Sequence, residues 1–303
     1  MVIAADVDRS LHQRAAADGR FEIIDRPAKS EDELAAVIGD CEVLVTRSFN
    51  RVTRRVIDAA PRLELIAQGT SGTDNIDAAA ARERGITILN LPGANADAVA
   101  ELVIGFMIAL TRTVPSYTRE LACCVFNRDD CATRHELRHY RLGIVGLGEV
   151  GRRVARLAGV FDMRVSAVDP YIDNFYNAAR IDSLDALLRN SDILTLHVPL
   201  TSETRRMIGQ MEIARMPRGS FLINAARGEV LDQIAALEAL RSSHLAGLAL
   251  DVFDPEPPSR PLPDDPRLIV TPHIAGCTHE AKSAIGAKLY DKIVQFYSRK
   301  NDQ

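Results

Sequence analysis

Short apolar segments rich in β-branched residues alternate with segments rich in Ala, Glu and Arg through the first third of the chain. This alternation is typical of strands joined by helices, so it predicts a parallel sheet with helices on its faces. Five strands are predicted there, with the sequences MVIAA, FEIID, EVLVT, LELIA and ITILN.

A long apolar segment follows at residues 95–111 and predicts a helix. One face is apolar at helical spacing and the other side is also largely apolar, so we expect burial on several sides, between domains or at a subunit interface. The segment is shorter than the roughly 20 apolar residues that cross a bilayer. The residues at helical spacing on the first face are Ala98, Leu102, Gly105, Phe106 and Ala109.

A second alternation begins near residue 141 and predicts six strands in a doubly wound sheet, with the sequences RLGIVG, MRVSAVD, DILTLHV, SFLINAA, LAGLALDV and LIVTPH. The last helix, at about residues 278–298, has no place in that completed sheet, so we expect it to return to the first domain. The predicted fold class is α/β, with two Rossmann-like, doubly wound parallel-sheet domains. We expect residues 1–97 plus 278–303 in the first domain and residues 98–277 in the second.

The composition narrows the function classes. The 303 residues are 47% hydrophobic and 26% charged, which excludes a disordered chain, a fibre and a small disulfide scaffold. The net charge is −4 without a basic block, so neither nucleic acid nor membrane is an expected partner. The first residues lack the cationic start of a secretion signal, so we expect a cytoplasmic protein. The five cysteines form no regularly spaced disulfide framework, so we expect reduced thiols.

A cysteine and two histidines have a spacing to be weighed as a metal site. Cys131, His135 and His139 are spaced i, i+4 and i+8, so they would share one face of a helix, near Cys123 and Cys124. This pattern is not a known ligand spacing, and a loop or a solvated helix is the favoured interpretation. We therefore predict no metal site.

The segment GLGEVG directly follows a predicted strand and opens a predicted helix. Gly146, Gly148 and Gly151 permit a tight turn, a close backbone approach to a pyrophosphate and close packing of the helix on the strand. The start of the helix, at Glu149 and Val150, supplies N–H groups and a positive dipole end to phosphates. The segment thus indicates a dinucleotide site.

The next predicted strand ends at Asp169, which is 169 − 151 = 18 residues beyond Gly151. A carboxylate there can accept hydrogen bonds from the adenosine ribose, and it would repel a 2′-phosphate. NAD is therefore the predicted cofactor.

Three polar residues follow strands of the second predicted sheet and emerge at one edge of it. Arg227 has the guanidinium geometry that matches a carboxylate. Glu256 and His273 follow the next two strands, and a carboxylate beside an imidazole favours the protonated form that suits a general acid. His197 has no comparable partner in the sequence and is interpreted on its own residues as structural.

The strings GLGEVG, HVPLTSETRRMIG, LINAARGEVLD, LALDVFDPEPP and TPHIAG resemble the D-isomer-specific 2-hydroxyacid dehydrogenase family, over nearly the whole chain. The resemblance implies a substrate domain assembled from both chain ends, which is flavodoxin-like, an NAD-binding domain between them, and an active site in the cleft. It implies that Arg227 orients the substrate carboxylate and carbonyl, that His273 is the acid/base at the C2 oxygen, and that Glu256 raises the basicity of the imidazole.

The resemblance also implies which other residues bind the ligands. Backbone amides at Ser71 and Gly72, in GTSGTDNID, would receive the substrate carboxylate, and Arg47, Ser48 and Asn95 would face the cleft. The further cofactor-binding positions, of which Asp251 approaches the nicotinamide carboxamide, are His197, Pro199, Thr204, Ala225, Ala226, Asp251 and Gly276.

Among subfamilies the chain most resembles the D-3-phosphoglycerate dehydrogenases, with features of the erythronate-4-phosphate dehydrogenases. Gln68 stands where the former often place an arginine, and Cys277 where the latter place a tyrosine. Glu149 stands where many members have arginine, and a carboxylate there predicts repulsion near the pyrophosphate and weaker cofactor binding.

We therefore predict an NAD-dependent oxidoreductase, a homodimer, that interconverts a D-2-hydroxy acid and the 2-keto acid. The substrate is either phosphoglycerate-like or hydroxypyruvate/glyoxylate-like, and no appended regulatory domain is expected. The alternative is an NADH-sensing, corepressor-like binding protein with little or no turnover.

Overall fold

The computed structural model describes residues 1–5, 7–126 and 134–301. Their contacts divide the chain into two compact units, one made of Met1–Asn95 with Cys277–Gln303 and the other of Ala96–Gly276. Each unit is built on a parallel sheet with helices between most consecutive strands. The predicted α/β fold class is confirmed.

The first 95 residues contribute these elements in chain order: β1 (Val2–Ile3), α1 (Arg9–Asp18), β2 (Ile24–Asp25), α2 (Glu31–Ile38), β3 (Val43–Thr46), α3 (Arg54–Asp58), β4 (Leu65–Gln68), α4 (Ala78–Glu83) and β5 (Thr87–Leu89).

The remaining elements are α5 (Ala96–Thr111), α6 (Val114–Ala122), β6 (Arg141–Val145), α7 (Glu149–Val160), β7 (Arg164–Val168), β8 (Ala179–Arg180), α8 (Leu184–Arg189), β9 (Ile193–Leu196), α9 (Gln210–Arg215), β10 (Ser220–Asn224), α10 (Gln233–Arg241), β11 (Leu245–Leu250), β12 (Leu268–Val270) and α11 (His279–Asn301), with short 3₁₀ turns at Leu137–His139 and Gly228–Val230.

In the first unit the described strands lie in the order β2-β1-β3-β4-β5, and all five predicted strands are present. This is the flavodoxin-like arrangement. The central strands β3 and β4 are buried along their whole length, and their pairing ends with Thr46 opposite Gln68. The loops that follow these two strands therefore leave the sheet side by side.

The last helix, α11, packs in the core of the first unit. Leu289 and Ile293 are fully buried and belong to the same apolar cluster as Val43 and Val45 of β3. Burial of such side chains stabilises the fold by roughly 1.5–3 kcal/mol each. One face of the five-stranded sheet is therefore covered by residues from near the end of the chain.

In the second unit the described strands lie in the order β12-β11-β10-β9-β6-β7-β8. The strand order reverses at β6, where the chain proceeds first to β7 on one side and later to β9 on the other. Dinucleotides bind at such a reversal in open parallel sheets. Six of these strands were predicted, whereas β8 is only two residues long and leaves too short a pattern in the sequence.

The regularly spaced apolar face of α5 is not its main buried face. Of the five residues on that face only Phe106 is buried, while Gly105 is exposed and the other three are half-buried. The helix instead packs against α7, β10 and β11. Its buried side carries most of the larger side chains, and burying larger side chains removes more apolar surface from water. These buried residues are Val99, Val103, Ile104, Phe106, Met107 and Leu110.

Within the described residues no single helix has both the length and the apolar character needed to cross a membrane; only α5 and α6 taken together, which are bent by 61°, meet that test.

Candidate active site

The glycine loop connects β6 to α7, and its glycines have different roles. Gly146 has a φ of +87°, and a Cβ there would lie 2.7 Å from the carbonyl oxygen of His197. A Cβ on Gly151 would lie 2.2 Å from the carbonyl oxygen of Gly146, a distance that van der Waals repulsion forbids. A Cβ on Gly148 would meet no atom within 4 Å. Gly146 and Gly151 are thus required by the fold, whereas Gly148 leaves open space beside the loop.

The N-terminus of α7 has unpaired backbone donors. Gly148 is the N-cap residue and provides no side chain to cap the helix. The N–H groups of Glu149 and Val150 find no acceptor among the described residues. Such donors, together with the helix dipole, favour an anionic group at this position.

Asp169 follows β7 and is hydrogen-bonded to the glycine loop. Its Oδ2 accepts from the N–H of Leu147 at 2.8 Å, and its Oδ1 accepts from the N–H of Tyr171 at 2.9 Å. A carboxylate has about four acceptor positions, so these bonds leave capacity for two hydroxyl groups. Asp169 therefore keeps acceptor capacity beside the glycine loop, where the sequence predicts a ribose.

Glu149 has two guanidinium partners that the sequence did not indicate. Its carboxylate pairs with Arg152 at 2.5 Å and with Arg153 at 2.8 Å, and Arg153 also pairs with Asp97 at 2.9 Å. The hydrogen bond from Arg153, followed by the charge of Arg152, more than offsets burial and lowers the pKa of Glu149. The carboxylate is ionised, but the two guanidinium groups compensate its charge. The repulsion toward a pyrophosphate is therefore weaker than the sequence alone predicted.

The segment after β9 contains three of the predicted cofactor-binding positions. Burial lowers the pKa of His197 to about 3, and its Nε2 lies 3.0 Å from the hydroxyl of Thr195. The imidazole is therefore neutral at physiological pH. Further along, the Thr204 hydroxyl donates to the carbonyl of Pro199 at 2.6 Å and closes a turn.

Arg227 lies just beyond the end of β10, where a buried amide holds the backbone. The side chain of Asn224 donates to the carbonyl of Arg227 at 2.9 Å and accepts from the N–H of Ala226 at 3.1 Å. Asn224 is fully buried. Sequence reasoning missed this residue, although an amide at the end of an apolar strand is a signal that could have found it. Ala225 and Ala226 form the half-buried backbone between the strand and Arg227.

Asp251 follows β11 and holds the loop that contains His273. It is fully buried; its Oδ1 accepts from the N–H of Ile274 at 2.8 Å, and its Oδ2 accepts from the N–H of Ala275 at 2.9 Å. The Thr271 hydroxyl also donates to Oδ1, at 2.5 Å. The backbone carbonyl of Asp251 accepts from the N–H of His273 at 2.8 Å. The carboxylate is thus committed to positioning residues 271–275, and Gly276 follows directly.

Glu256 and His273 are in direct contact. The Nδ1 of His273 lies 2.5 Å from a carboxylate oxygen of Glu256. Burial alone would raise the pKa of Glu256, but the hydrogen bond and charge of His273, with a smaller contribution from the Arg227 charge, hold that pKa below its usual value. The structure therefore brings together the three residues that were predicted to be catalytic.

The predicted substrate-binding residues of the first unit follow β3, β4 and β5. Arg47 and Ser48 are half-buried directly after β3, and Asn95 is half-buried just before α5. The N–H groups of Ser71 and Gly72 have no acceptor in the described ranges. Two adjacent unpaired N–H groups in a loop can bind a carboxylate.

The cysteine and histidine cluster gives no site in the part of the chain that the structure describes. Cys131 lies outside the described residues, and the rings of His135 and His139 are 6.2 Å apart. No three His, Cys, Asp or Glu residues within the described ranges are arranged to hold a metal ion.

Comparison with known proteins assigns the family. Residues 104–275 match the family described as "D-isomer specific 2-hydroxyacid dehydrogenase, NAD binding domain". The chain belongs to this family. The predicted resemblance is confirmed, and the second unit corresponds to an NAD-binding domain of the D-isomer specific 2-hydroxyacid dehydrogenases.

Known members of the family are similar over most of the chain. A D-3-phosphoglycerate dehydrogenase of Methanocaldococcus jannaschii is 39% identical over 87% of this chain, which spans about half of that protein (51%). A hydroxypyruvate reductase of Thermotoga maritima is 38% identical over 87% of both chains. The crystal structure of an Aquifex aeolicus D-lactate dehydrogenase, complexed with NAD and lactic acid, superposes with a TM-score of 0.88 at 25% identity and covers 99% of this chain and 96% of that chain.

The residues of this 2-hydroxyacid dehydrogenase domain fit NAD. Gly148 provides open space, Glu149 and Val150 provide unpaired N–H donors, and Asp169 provides a carboxylate joined to the same loop. These are the groups that a pyrophosphate and an adenosine ribose require. His197 would contribute a neutral imidazole surface, since its burial disfavours the cation.

Two alanine substitutions distinguish a glycine that leaves space for the cofactor from a glycine that the fold requires. We expect Gly148→Ala to leave the melting temperature within about 2 °C of the parent value, because nothing lies within 4 Å of the new Cβ. It should raise the Kd for NADH about tenfold or more, since that Cβ occupies the open space. Intrinsic fluorescence and NADH titration measure both quantities.

Gly151→Ala is the matched substitution in the same loop. It should lower the melting temperature by several degrees, because the new Cβ overlaps the Gly146 carbonyl. Equal NADH affinity in Gly148→Ala and the parent protein would remove the glycine loop from the cofactor site.

Proposed function

We propose that the protein is an NAD-dependent D-2-hydroxyacid dehydrogenase that interconverts a D-2-hydroxy acid and its 2-keto acid. The observation that carries this proposal is the Glu256–His273 contact of 2.5 Å, with Arg227 close enough to lower the pKa of the same carboxylate. These groups follow β10, β11 and β12 of the sheet whose β6 carries the glycine loop. A carboxylate–imidazole pair and a guanidinium are the groups needed to move a proton at a carbonyl oxygen that also bears a neighbouring carboxylate.

Each residue has a distinct role in the proposed reaction. The bound nicotinamide would provide the hydride chemistry at C2 of the substrate, as NADH for reduction of the keto acid and as NAD⁺ for oxidation of the hydroxy acid. His273 donates a proton to the developing alkoxide during reduction and accepts it during oxidation, while Glu256 stabilises the imidazolium. Arg227 orients the carboxylate and polarises the carbonyl, and Asp251 holds the loop of His273 in place.

The first unit supplies the proposed carboxylate-binding site. The N–H groups of Ser71 and Gly72 receive the substrate carboxylate, and Arg47, Ser48 and Asn95 contact the remainder of the substrate. The absence of acceptors for the two N–H groups among the described residues supports this role.

A small, unphosphorylated 2-keto acid such as hydroxypyruvate or glyoxylate is the substrate that we propose. Gln68, beside the carboxylate-binding loop, is neutral and fully buried, and its amide donates within the loop. It therefore offers no cation or spare donor for a phosphate. The hydroxypyruvate reductase similar to this chain over 87% of both lengths supports the same class.

We also propose that the protein is a homodimer in the cytoplasm. The outer side of α5 exposes Gly105 and Ile108, with Leu102 and Ala109 half-buried, and this apolar strip suits a second copy of the chain. The described cysteines Cys41, Cys123 and Cys124 are free thiols, in keeping with a reducing compartment.

A substrate screen tests the proposed reaction. With NADH fixed, we expect oxidation of NADH with hydroxypyruvate or glyoxylate, and at least about tenfold lower kcat/KM with phosphohydroxypyruvate, since the neutral, buried Gln68 supplies no cation for its phosphate. Absorbance at the NADH band measures the rates. Higher efficiency with phosphohydroxypyruvate would overturn the substrate class, and tight NADH binding without turnover of any keto acid would favour the corepressor-like alternative.

The Glu256–His273 pair predicts a pH effect. Because the pKa of Glu256 is below its usual value, Glu256 is ionised at neutral pH, and Glu256→Gln removes a real charge from the imidazolium. Without that charge, the imidazolium that donates the proton in reduction is less stabilised. We expect the midpoint of the pH profile of keto-acid reduction to shift down by roughly 0.5–1 pH unit.

The pH profile of hydroxy-acid oxidation should shift in the same direction, because the neutral imidazole needed there persists to lower pH. Glu238→Gln, which removes an exposed carboxylate from α10, is the control and should leave both profiles unchanged. Identical profiles for Glu256→Gln and Glu238→Gln, with chemistry rate-limiting, would remove Glu256 from the mechanism.

The dimer is tested by placing a charge on the exposed strip of α5. Ile108 is 38% exposed, and Ile108→Glu should convert a dimer to a monomer, because a carboxylate cannot be buried unpaired in an apolar interface. Ile234→Glu, at a residue that is 73% exposed on α10, is the matched control and should stay dimeric. Light scattering after gel filtration gives the mass; a parent protein of monomer mass would end the proposal.

A further inference from the structure

Three amide side chains join the loops that follow β3 and β4 in the first unit. Gln68 is fully buried, Asn50 is 3% exposed, and Asn75 is half-buried between them. Buried amides of this kind are costly unless they are hydrogen-bonded, so their partners indicate what they hold.

The buried side chain of Gln68 forms hydrogen bonds to three groups of the loop at residues 69–75. Its Nε2 lies 2.8 Å from the Thr70 hydroxyl, 3.2 Å from the Gly72 carbonyl and 2.9 Å from the Oδ1 of Asn75. The two hydrogens of one amide nitrogen are thus shared among three acceptors of the same loop. The Thr70 hydroxyl in turn donates to the Gly72 carbonyl at 3.1 Å.

Asn75 connects this loop to the loop that follows β3. Because its Oδ1 accepts from Gln68, its Nδ2 faces the other way and donates to the carbonyls of Arg47 at 3.1 Å and Asn50 at 2.7 Å.

Asn50 completes the connection between the loops and the sheet. Its Oδ1 accepts from the N–H of Arg47 at 3.0 Å, and its Nδ2 donates to the carbonyl of Ala28 at 2.8 Å. Both backbone polar groups of Arg47 are therefore held by amide side chains.

We propose that Gln68, Asn75 and Asn50 form an amide relay that positions the substrate-binding groups of the first unit. The relay fixes the backbone of Arg47 relative to the Ser71–Gly72 amides, so that one substrate meets both at once. This inference rests on the proposed function, which assigns those groups to the substrate. The relay residues are positioning residues, since they act through Arg47 and the loop.

The unpaired oxygen of Gln68 supports a role in positioning. Its Oε1 is buried and has no hydrogen-bond partner among the described residues. Rotating the amide would place this oxygen against the Gly72 carbonyl and the Asn75 Oδ1, which are both acceptors. An apolar side chain of the same size would avoid the unmade bond, so an amide here serves the loop and not the core.

The test begins with Gln68→Met, which keeps the volume and removes the donor. We expect KM for the keto acid to rise about tenfold, with kcat within about threefold. Misplaced carboxylate-binding groups weaken binding of the substrate in its ground state and in the transition state alike. The Kd for NADH should stay within about twofold, since the cofactor residues lie in the other unit. A merely structural role would lower the melting temperature without this selective change in KM.

Asn75→Asp breaks the relay at its next member and should also raise KM about tenfold or more, because a carboxylate cannot donate to the Arg47 and Asn50 carbonyls. In the double variant the two effects should be clearly less than multiplicative, since either substitution interrupts the same path. Ile57→Val, a fully buried core change in α3, controls for lost stability and should leave KM unchanged.

Binding of oxamate, an unreactive keto-acid analogue, is measured on every variant in the presence of NADH as a readout besides turnover. Weaker oxamate binding in Gln68→Met and Asn75→Asp, with parent-like binding in Ile57→Val, is the expected result. Parent-level KM and oxamate affinity in both relay variants, or fully multiplicative effects in the double variant, would overturn the relay alone. A parent protein that neither reduces a keto acid nor binds oxamate would overturn the proposed function and the relay with it.

Discussion

Parallel strands that are buried on both faces leave only their ends for polar chemistry. In each unit the backbone donors and acceptors of the central strands pair with one another, and their side chains fill apolar cores. Polar side chains that must contact a ligand are then confined to the loops after the strands. The residues proposed to bind ligands, Asp169, Arg227 and His273 in one unit and Arg47 and Ser71 in the other, all lie in such loops.

The loops are held by buried polar side chains at the strand ends. Asp251 accepts from the loop of His273, Asn224 clamps the backbone of Arg227, and Gln68 holds the loop of Ser71. Each of the three is fully buried. Asp251 and Asn224 bond mainly to backbone groups, whereas Gln68 bonds to one carbonyl and two side chains of its loop. A loop fixed in this way needs no apolar packing of its own, so its ligand-facing groups can stay exposed without being mobile.

Most of the fold could be predicted because strand patterns and the glycine loop are local. Eleven strands were predicted and are present, whereas the two-residue β8 was too short to leave a pattern. The sequence does not distinguish the more buried side of α5, since both sides of that helix are apolar and only its contacts with α7 and β11 decide between them. The charge at Glu149 was misjudged because Arg152 and Arg153 become its partners only when residues 149–153 adopt a helix.

The sequence by itself determined the class of the protein: an alternation of strands and helices, a glycine loop followed by Asp169, and a guanidinium, a carboxylate and an imidazole after successive strands. Spacing along the chain carries this information, because elements and their ends are set by neighbouring residues. Only the tertiary structure decided that Asp251 is committed to the loop of His273 and that Gln68, Asn75 and Asn50 connect two loops. The relay contacts join residues up to 28 positions apart and the Asp251 contacts residues 24 positions apart, and no local pattern records which distant backbone group a buried side chain will bind.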